Sequence, residues 1–186
     1  IERTPTASTF EKHFDANDLV IAQHVVQSIP ILPGVAYVEA MLAAARWHLG
    51  QPVLRVENVL IVSPLALDDT GRAQMIITAA SEATEPARLN LRVSSRRRDG
   101  TEIQHASCEC VAASAELRPA LDLSRLRALP AQRLEAELIY GGFQRVGSAY
   151  GEFFRSVRWV ARAERETFAE LELTPSAAGR GGYLLH

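Results

Sequence analysis

The chain has 186 residues, 47% of them hydrophobic, which is enough for one medium domain or two small subdomains around a sizeable buried core. Twenty basic residues stand against 22 acidic ones, for a net charge of -2, so no electrostatic footprint for nucleic acid exists. No apolar run approaches the roughly 20 residues that span a bilayer, and the N-terminus lacks the basic-then-apolar layout of a signal peptide, so a cytoplasmic, membrane-free protein is expected.

The first distinctive stretch is "HVVQSIPILPG", His24 to Gly34. A histidine precedes two prolines and a glycine, and an alanine-rich run follows. Residues 33–49, "PGVAYVEAMLAAARWHL", carry a helix signature, with Pro33 near the first turn and Gly50 as the stop. Val35, Val38, Leu42, Ala45 and Leu49 form one apolar stripe, and the alanine content predicts a mostly buried helix.

Four extended segments come next: 53–62, 72–80, 87–95 and 102–112, rich in β-branched residues. Turn signals separate them, among them Asp68-Asp69-Thr70-Gly71 and Asp99-Gly100. A helix followed by an antiparallel meander predicts an α+β unit whose sheet wraps the helix. The basic run Arg96-Arg97-Arg98 beside Asp99-Gly100 reads as a solvated hairpin tip. In the last strand Cys108 and Cys110 share one sheet face and His105 takes the other, which argues against a local metal site and for two buried free thiols.

Residues 113–131 contain two prolines and several charges without a clear period, and read as a linker. Beyond it the helix-then-strands order restarts. Residues 132–147 read as a helix or broken helix ending at Gly147, and 153–162 and 165–173 as strands. The expected organisation is a first α+β unit over 1–112, the linker over 113–131, and an incomplete second unit over 132–186. Both ends read as cut, with Ile1 in place of methionine and His186 directly after the apolar "GGYLL".

Histidine exchanges protons readily near neutral pH, which suits removal of a weakly acidic C–H proton, and His24 is therefore a candidate base. An ordinary half-buried histidine is the alternative reading. The N–H groups of a helix start just beyond it favour developing negative charge on a carbonyl oxygen.

His24, Ser28 and Pro33 resemble the His-x-x-x-Gly-x-x-x-x-Pro motif of the dehydratase domains of modular polyketide synthases, with serine where the motif has glycine. "GSAYGEFF" resembles the family's Gly-x-x-Tyr-Gly-Pro-x-Phe motif through Gly147, Tyr150, Gly151 and Phe154, with Glu152 in place of proline. The resemblance implies a double hotdog, two antiparallel sheets each wrapped around a central helix, with the second truncated here. It implies a hydro-lyase that removes water from a β-hydroxyacyl thioester to give an α,β-unsaturated chain. His24 would be the base, Ser28, Pro33 and Gly34 would line the thioester oxygen, and Tyr150 and Gly151 would position the hydroxyl. "YLLH" at 183–186 resembles the lead-in to the motif His-Pro-x-x-x-Asp, which places the acid beyond His186.

No metal or redox cofactor is needed in that scheme, because the substrate rides on the phosphopantetheine of an acyl carrier protein. The implied partners are that carrier protein, neighbouring synthase domains of the same polypeptide and, as an option, a second copy in a homodimer. Two alternatives keep the fold. One is a relative that cyclises an enoyl chain by oxygen addition, as a pyran synthase does, or shifts its double bond. The other is a silent module that binds acyl chains or dimerises.

Overall fold

The computed structural model describes every residue except 1, 5, 51–53, 83, 113–121, 129–131 and 179–186. Its elements run β1 (Glu2–Arg3), β2 (Ala7–Asp15), α1 (Leu19–Ala22), β3 (His24–Val26), β4 (Ile29–Pro30), α2 (Gly34–Leu49), β5 (Leu54–Ile61), β6 (Arg72–Glu82), β7 (Glu85–Arg96) and β8 (Glu102–Ala112). They continue through α3 (Leu123–Ala128), β9 (Gln132–Glu135), α4 (Ala136–Arg145), β10 (Ser148–Tyr150), a 3-10 turn at Glu152–Phe154, β11 (Val157–Arg162) and β12 (Thr167–Leu171). The chain forms two compact units, one of the described residues in 1–22 and 30–115, the other of those in 23–29 and 116–181.

The first unit is built on α2. Pro33 caps its start in an extended conformation, with φ -67° and ψ 150°. Gly50 ends it at φ 65°, a left-handed position suited to glycine, and donates its N–H to the Arg46 carbonyl. The buried face is Tyr37, Met41, Leu42, Ala44 and Ala45. The expected stripe is therefore displaced: Leu42 and Ala45 belong to it, but Val35 is 65% exposed and the helix is buried on one side only. The aromatic Tyr37 and the flexible Met41 supply the volume that fills the sheet.

An antiparallel six-stranded sheet, in the order β1-β2-β6-β7-β8-β5, packs against α2. Alternation buries Ala73, Met75, Ile77 and Ala79 of β6, Leu89, Leu91 and Val93 of β7, and Ala106, Cys108 and Cys110 of β8. The four expected strands are present, and β6-β7-β8 is a meander. Two features differ from a plain meander. β5 pairs with β8 at the far edge, since the connection 62–71 carries the chain back across, and the place beside β6 is taken by β2.

His105 is a correction. Along β7 and β8, Val93 faces Ala106 but Ser94 faces Gln104, so His105 is the extra residue of a β-bulge. The bulge turns its ring to the helix side. It stacks on Tyr37 of α2 at 6.3 Å and is 2% exposed, while Cys108 on the same side donates to the Met41 sulfur at 3.4 Å. The thiols are buried and free, and the hydrogen bond with the Cys110 thiol, together with burial, holds Cys108 protonated far above its ordinary range.

In the second unit β3 lies between β10 and β4, and β11 lies between β12 and β9. The expected helix at 132–147 begins only at Ala136. Residues 132–135 are instead a strand on β11, where Arg133 lays its guanidinium over the Trp159 ring at 4.5 Å. Residues 153–156 are not strand, because the chain makes the 3-10 turn there before β11. The described part of the expected linker contains α3, whose Arg125 pairs with Glu166 at 2.7 Å.

Candidate active site

The second unit brings the His24–Ser28 part of the first motif against the second motif. β3 and β10 run antiparallel with His24 opposite Tyr150, Val25 opposite Ala149 and Val26 opposite Ser148. Directly opposed residues project to the same face, so this register sets the His24 ring against the Tyr150 ring, 5.4 Å between centroids. Phe154 approaches the half-buried imidazole from the 3-10 turn at 5.9 Å.

Further aromatic rings hold this pair. Phe143 lies 5.2 Å from Tyr150, Tyr140 lies 6.3 Å from it, and Phe153 lies 5.0 Å from Phe154. Tyr140 also ties the backbone together. Its hydroxyl donates to the Phe154 carbonyl at 3.1 Å and accepts from the Val157 N–H at 3.0 Å, while the Arg155 guanidinium sits over its ring. The C-terminal end of the 3-10 turn is thereby tied to the start of β11.

Ser28 sits in the two-residue turn joining β3 to β4. Gln27 has φ 49° and Ser28 φ 68°, so both central residues are left-handed, as a tight hairpin with matching twist requires. A side chain in that region costs about 1–2 kcal/mol, which is the physical reason a glycine suits the position. The turn is exposed and is held by the Gln27 N–H, which donates to the Gly147 carbonyl at 2.7 Å. Gly147 is itself at φ 85°.

Pro33 and Gly34 belong to the first unit, as the cap and first residue of α2. Gly34 leaves room for a neighbour: a Cβ there would stand 2.9 Å from Ile61 Cδ1. Gly151 has an ordinary φ of -73° and follows Tyr150 directly, and Glu152 stands exposed at the start of the 3-10 turn. Tyr140, Phe143, Phe153 and Gln23 are the neighbours that sequence reasoning missed. The pattern Tyr-x-x-Phe, which puts Tyr140 and Phe143 on one helix face, was the available signal.

The other buried histidine is differently placed. His105 has Nε2 2.8 Å from Ser95 Oγ and Nδ1 3.2 Å from Ser63 Oγ, so both ring nitrogens are engaged within the first unit. Burial lowers its pKa below the usual histidine value. Among the described residues no group of three or more His, Cys, Asp or Glu side chains is placed to hold a metal ion. Residues 183–186, with the expected lead-in to the acid, lie outside the described residues.

A sheet wrapped on one long helix, joined in one chain to a histidine held among aromatic rings, defines a hotdog-type domain. The family model of the polyketide synthase dehydratase domain matches residues 2–96, and the chain belongs to that family. It is 28% identical over 174 residues to polyketide synthase PksN of Bacillus subtilis, covering 91% of this chain and 3% of that protein. A dehydratase domain of a trans-AT polyketide synthase from Brevibacillus brevis superposes with a TM-score of 0.89 at 24% identity, over 97% of this chain and 65% of that one. The dehydratase domain from the CurK module of curacin polyketide synthase superposes with a TM-score of 0.88 at 19% identity, over 100% of this chain and 67% of that one. Two inactive mutants of the CurK dehydratase have the same fold, one with a histidine replaced by phenylalanine and one with an aspartate replaced by asparagine. The chain spans only 3% of the length of PksN and about two thirds of each of these solved domains. Among the described residues no helix is long and apolar enough to cross a membrane.

Proposed function

We propose that this domain dehydrates a β-hydroxyacyl chain carried as a thioester on the phosphopantetheine of an acyl carrier protein. The observation that carries the reading is the opposition of His24 and Tyr150 across β3 and β10. The His24 imidazole takes the proton from the carbon next to the thioester carbonyl, and the electron pair of that C–H bond moves toward the carbonyl oxygen. Backbone N–H groups at the Ser28 turn hydrogen-bond that oxygen as it gains charge. The electron pair then forms the α,β double bond as the β C–O bond breaks, and a carboxylic acid expected beyond His186 protonates the departing hydroxyl to water. The Tyr150 hydroxyl orients the β-hydroxyl toward the acid. No step calls for a metal or redox cofactor.

The CurK mutants support the pairing of a histidine with an aspartate, since that dehydratase is inactive when either kind of residue is replaced. The carrier protein and the neighbouring domains of the same polypeptide are the proposed partners. One second reading keeps the fold and the histidine, a specialised activity in which an enoyl chain is cyclised or its double bond shifted.

The complete synthase polypeptide incubated with a β-hydroxyacyl carrier protein tests both. Loss of one water by intact mass, with a conjugated α,β double bond in the released acid, supports dehydration. A ring of the same mass without the double bond, or a β,γ double bond, supports the second reading. An unchanged mass would overturn both in favour of a silent module.

A further inference from the structure

We infer that Gln23 is a positioning residue for this reaction, a clamp that holds the Tyr150–Phe154 segment against the His24 imidazole. Its backbone carbonyl accepts the Gly151 N–H at 2.8 Å, and its side-chain Oε1 accepts the Phe153 N–H at 2.7 Å. One residue thus grips two donors on either side of Glu152. Gln23 immediately precedes His24 and Gly151 immediately follows Tyr150, so the clamp joins the backbone beside the two facing rings. Phe154, the other ring against His24, directly follows the second gripped donor.

Gly151 supports the same assignment. Its φ of -73° is open to any residue, so the left-handed region is not what requires glycine here. Space is. A Cβ built on Gly151 would stand 2.5 Å from Gln23 Oε1 and 2.7 Å from both Cβ and Cδ of Gln23. The missing side chain lets the Gln23 side chain pass across the strand to reach the Phe153 N–H. The donor at Phe153 fixes the carboxamide with its oxygen inward, because only an oxygen can accept there.

The role rests on the reading of His24 as the base, and acts through His24 and Tyr150. Gln23→Met keeps the length and removes the acceptor, while Gln23→Glu keeps an acceptor oxygen. Both are assayed in the complete synthase polypeptide at their own pH optima, since a carboxylate beside His24 stabilises its protonated form. A loosened alignment lowers kcat by about tenfold or more in Gln23→Met with KM changed less than about twofold, and Gln23→Glu recovers most of the loss. Hydrogen exchange in the peptide covering 150–155 should rise in Gln23→Met while β6–β8 keep their protection, which shows the fold intact. Wild-type kcat in Gln23→Met despite faster exchange at 150–155 would overturn the positioning role, and unchanged exchange there would overturn the clamp itself. Equal loss in both variants would overturn the acceptor as its basis. Wild-type turnover in His24→Ala is a separate failure, that of the underlying reading, and leaves the exchange result to judge the clamp.

Discussion

The two units of this chain solve different problems. Among the described residues, every buried hydrophobic side chain except Tyr140 and Ala161 lies in the first unit, where α2 and a six-stranded sheet close on one another. The second unit has short strands, and Leu134, Leu138, Phe143, Val146, Leu171 and Leu173 stand exposed in it. It also holds the histidine, the facing tyrosine and the paired left-handed residues of the turn. The buried packing and the candidate site are therefore segregated, as expected when a site needs an accessible ring and an unusual backbone while a core needs neither.

That contrast can be broken most forcefully from the core side. Leu89 has no exposure, and Leu89→Ala leaves a cavity in the middle strand of the meander, at a cost of about 2–5 kcal/mol. Hydrogen exchange should show β6, β7 and β8 losing protection together. Leu138→Ala, on an exposed position of α4, should shift exchange by about 0.5 kcal/mol or less. Equal losses would show that the units do not differ in this way.

A second test uses the pH response of the first unit. Burial lowers the His105 pKa from its ordinary 6.5, so the unfolded state takes up a proton there that the folded state resists. The stability contributed by neutral His105 is complete above pH 6.5 and is lost as pH falls below it toward the lowered folded value. Protection of β8 should therefore decline as pH falls below 6.5, and His105→Asn should flatten that decline. A slope unchanged by the substitution would place its origin elsewhere.

The smallest effect is expected at the turn. Ser28→Gly removes a Cβ from a left-handed position but adds freedom to the unfolded chain, for a net gain of at most about 1 kcal/mol. Activity should be kept or raised. Loss of turnover with an unchanged melting temperature would give the Ser28 hydroxyl a chemical role and favour the specialised reading.

Legibility in the sequence follows the same division. α2 and β5 to β8 stand out because apolar periodicity is strong where a core is being built. β2 is quieter: its "EKH" stretch is exposed and only Ser8 and Phe14 are buried, so its period is blurred. The place of β5 beside β8 is a long-range choice with no local signal. His105 was assigned to the wrong face because alternation assumes a regular ladder, and a bulge breaks the count by one. In the second unit "QRLE" has helix-forming residues but is a strand on β11, so tertiary pairing overrides propensity. Motif spacing singles out His24, Tyr150 and Gly151, of which the structure sets His24 opposite Tyr150, and Ser28 stands out by its departure from the motif. Gln23 carried no signal, since its significance lies in two contacts across more than a hundred residues of chain.

The segregation of the candidate site from the buried packing is tested most directly by His24→Ala in the complete synthase polypeptide. Turnover of the β-hydroxyacyl carrier protein and hydrogen exchange are read on the same sample. Loss of the base should slow water elimination by about a hundredfold or more, with protection in β6–β8 unchanged. Turnover at the wild-type rate, or a collapse of protection in the first unit, would contradict the account.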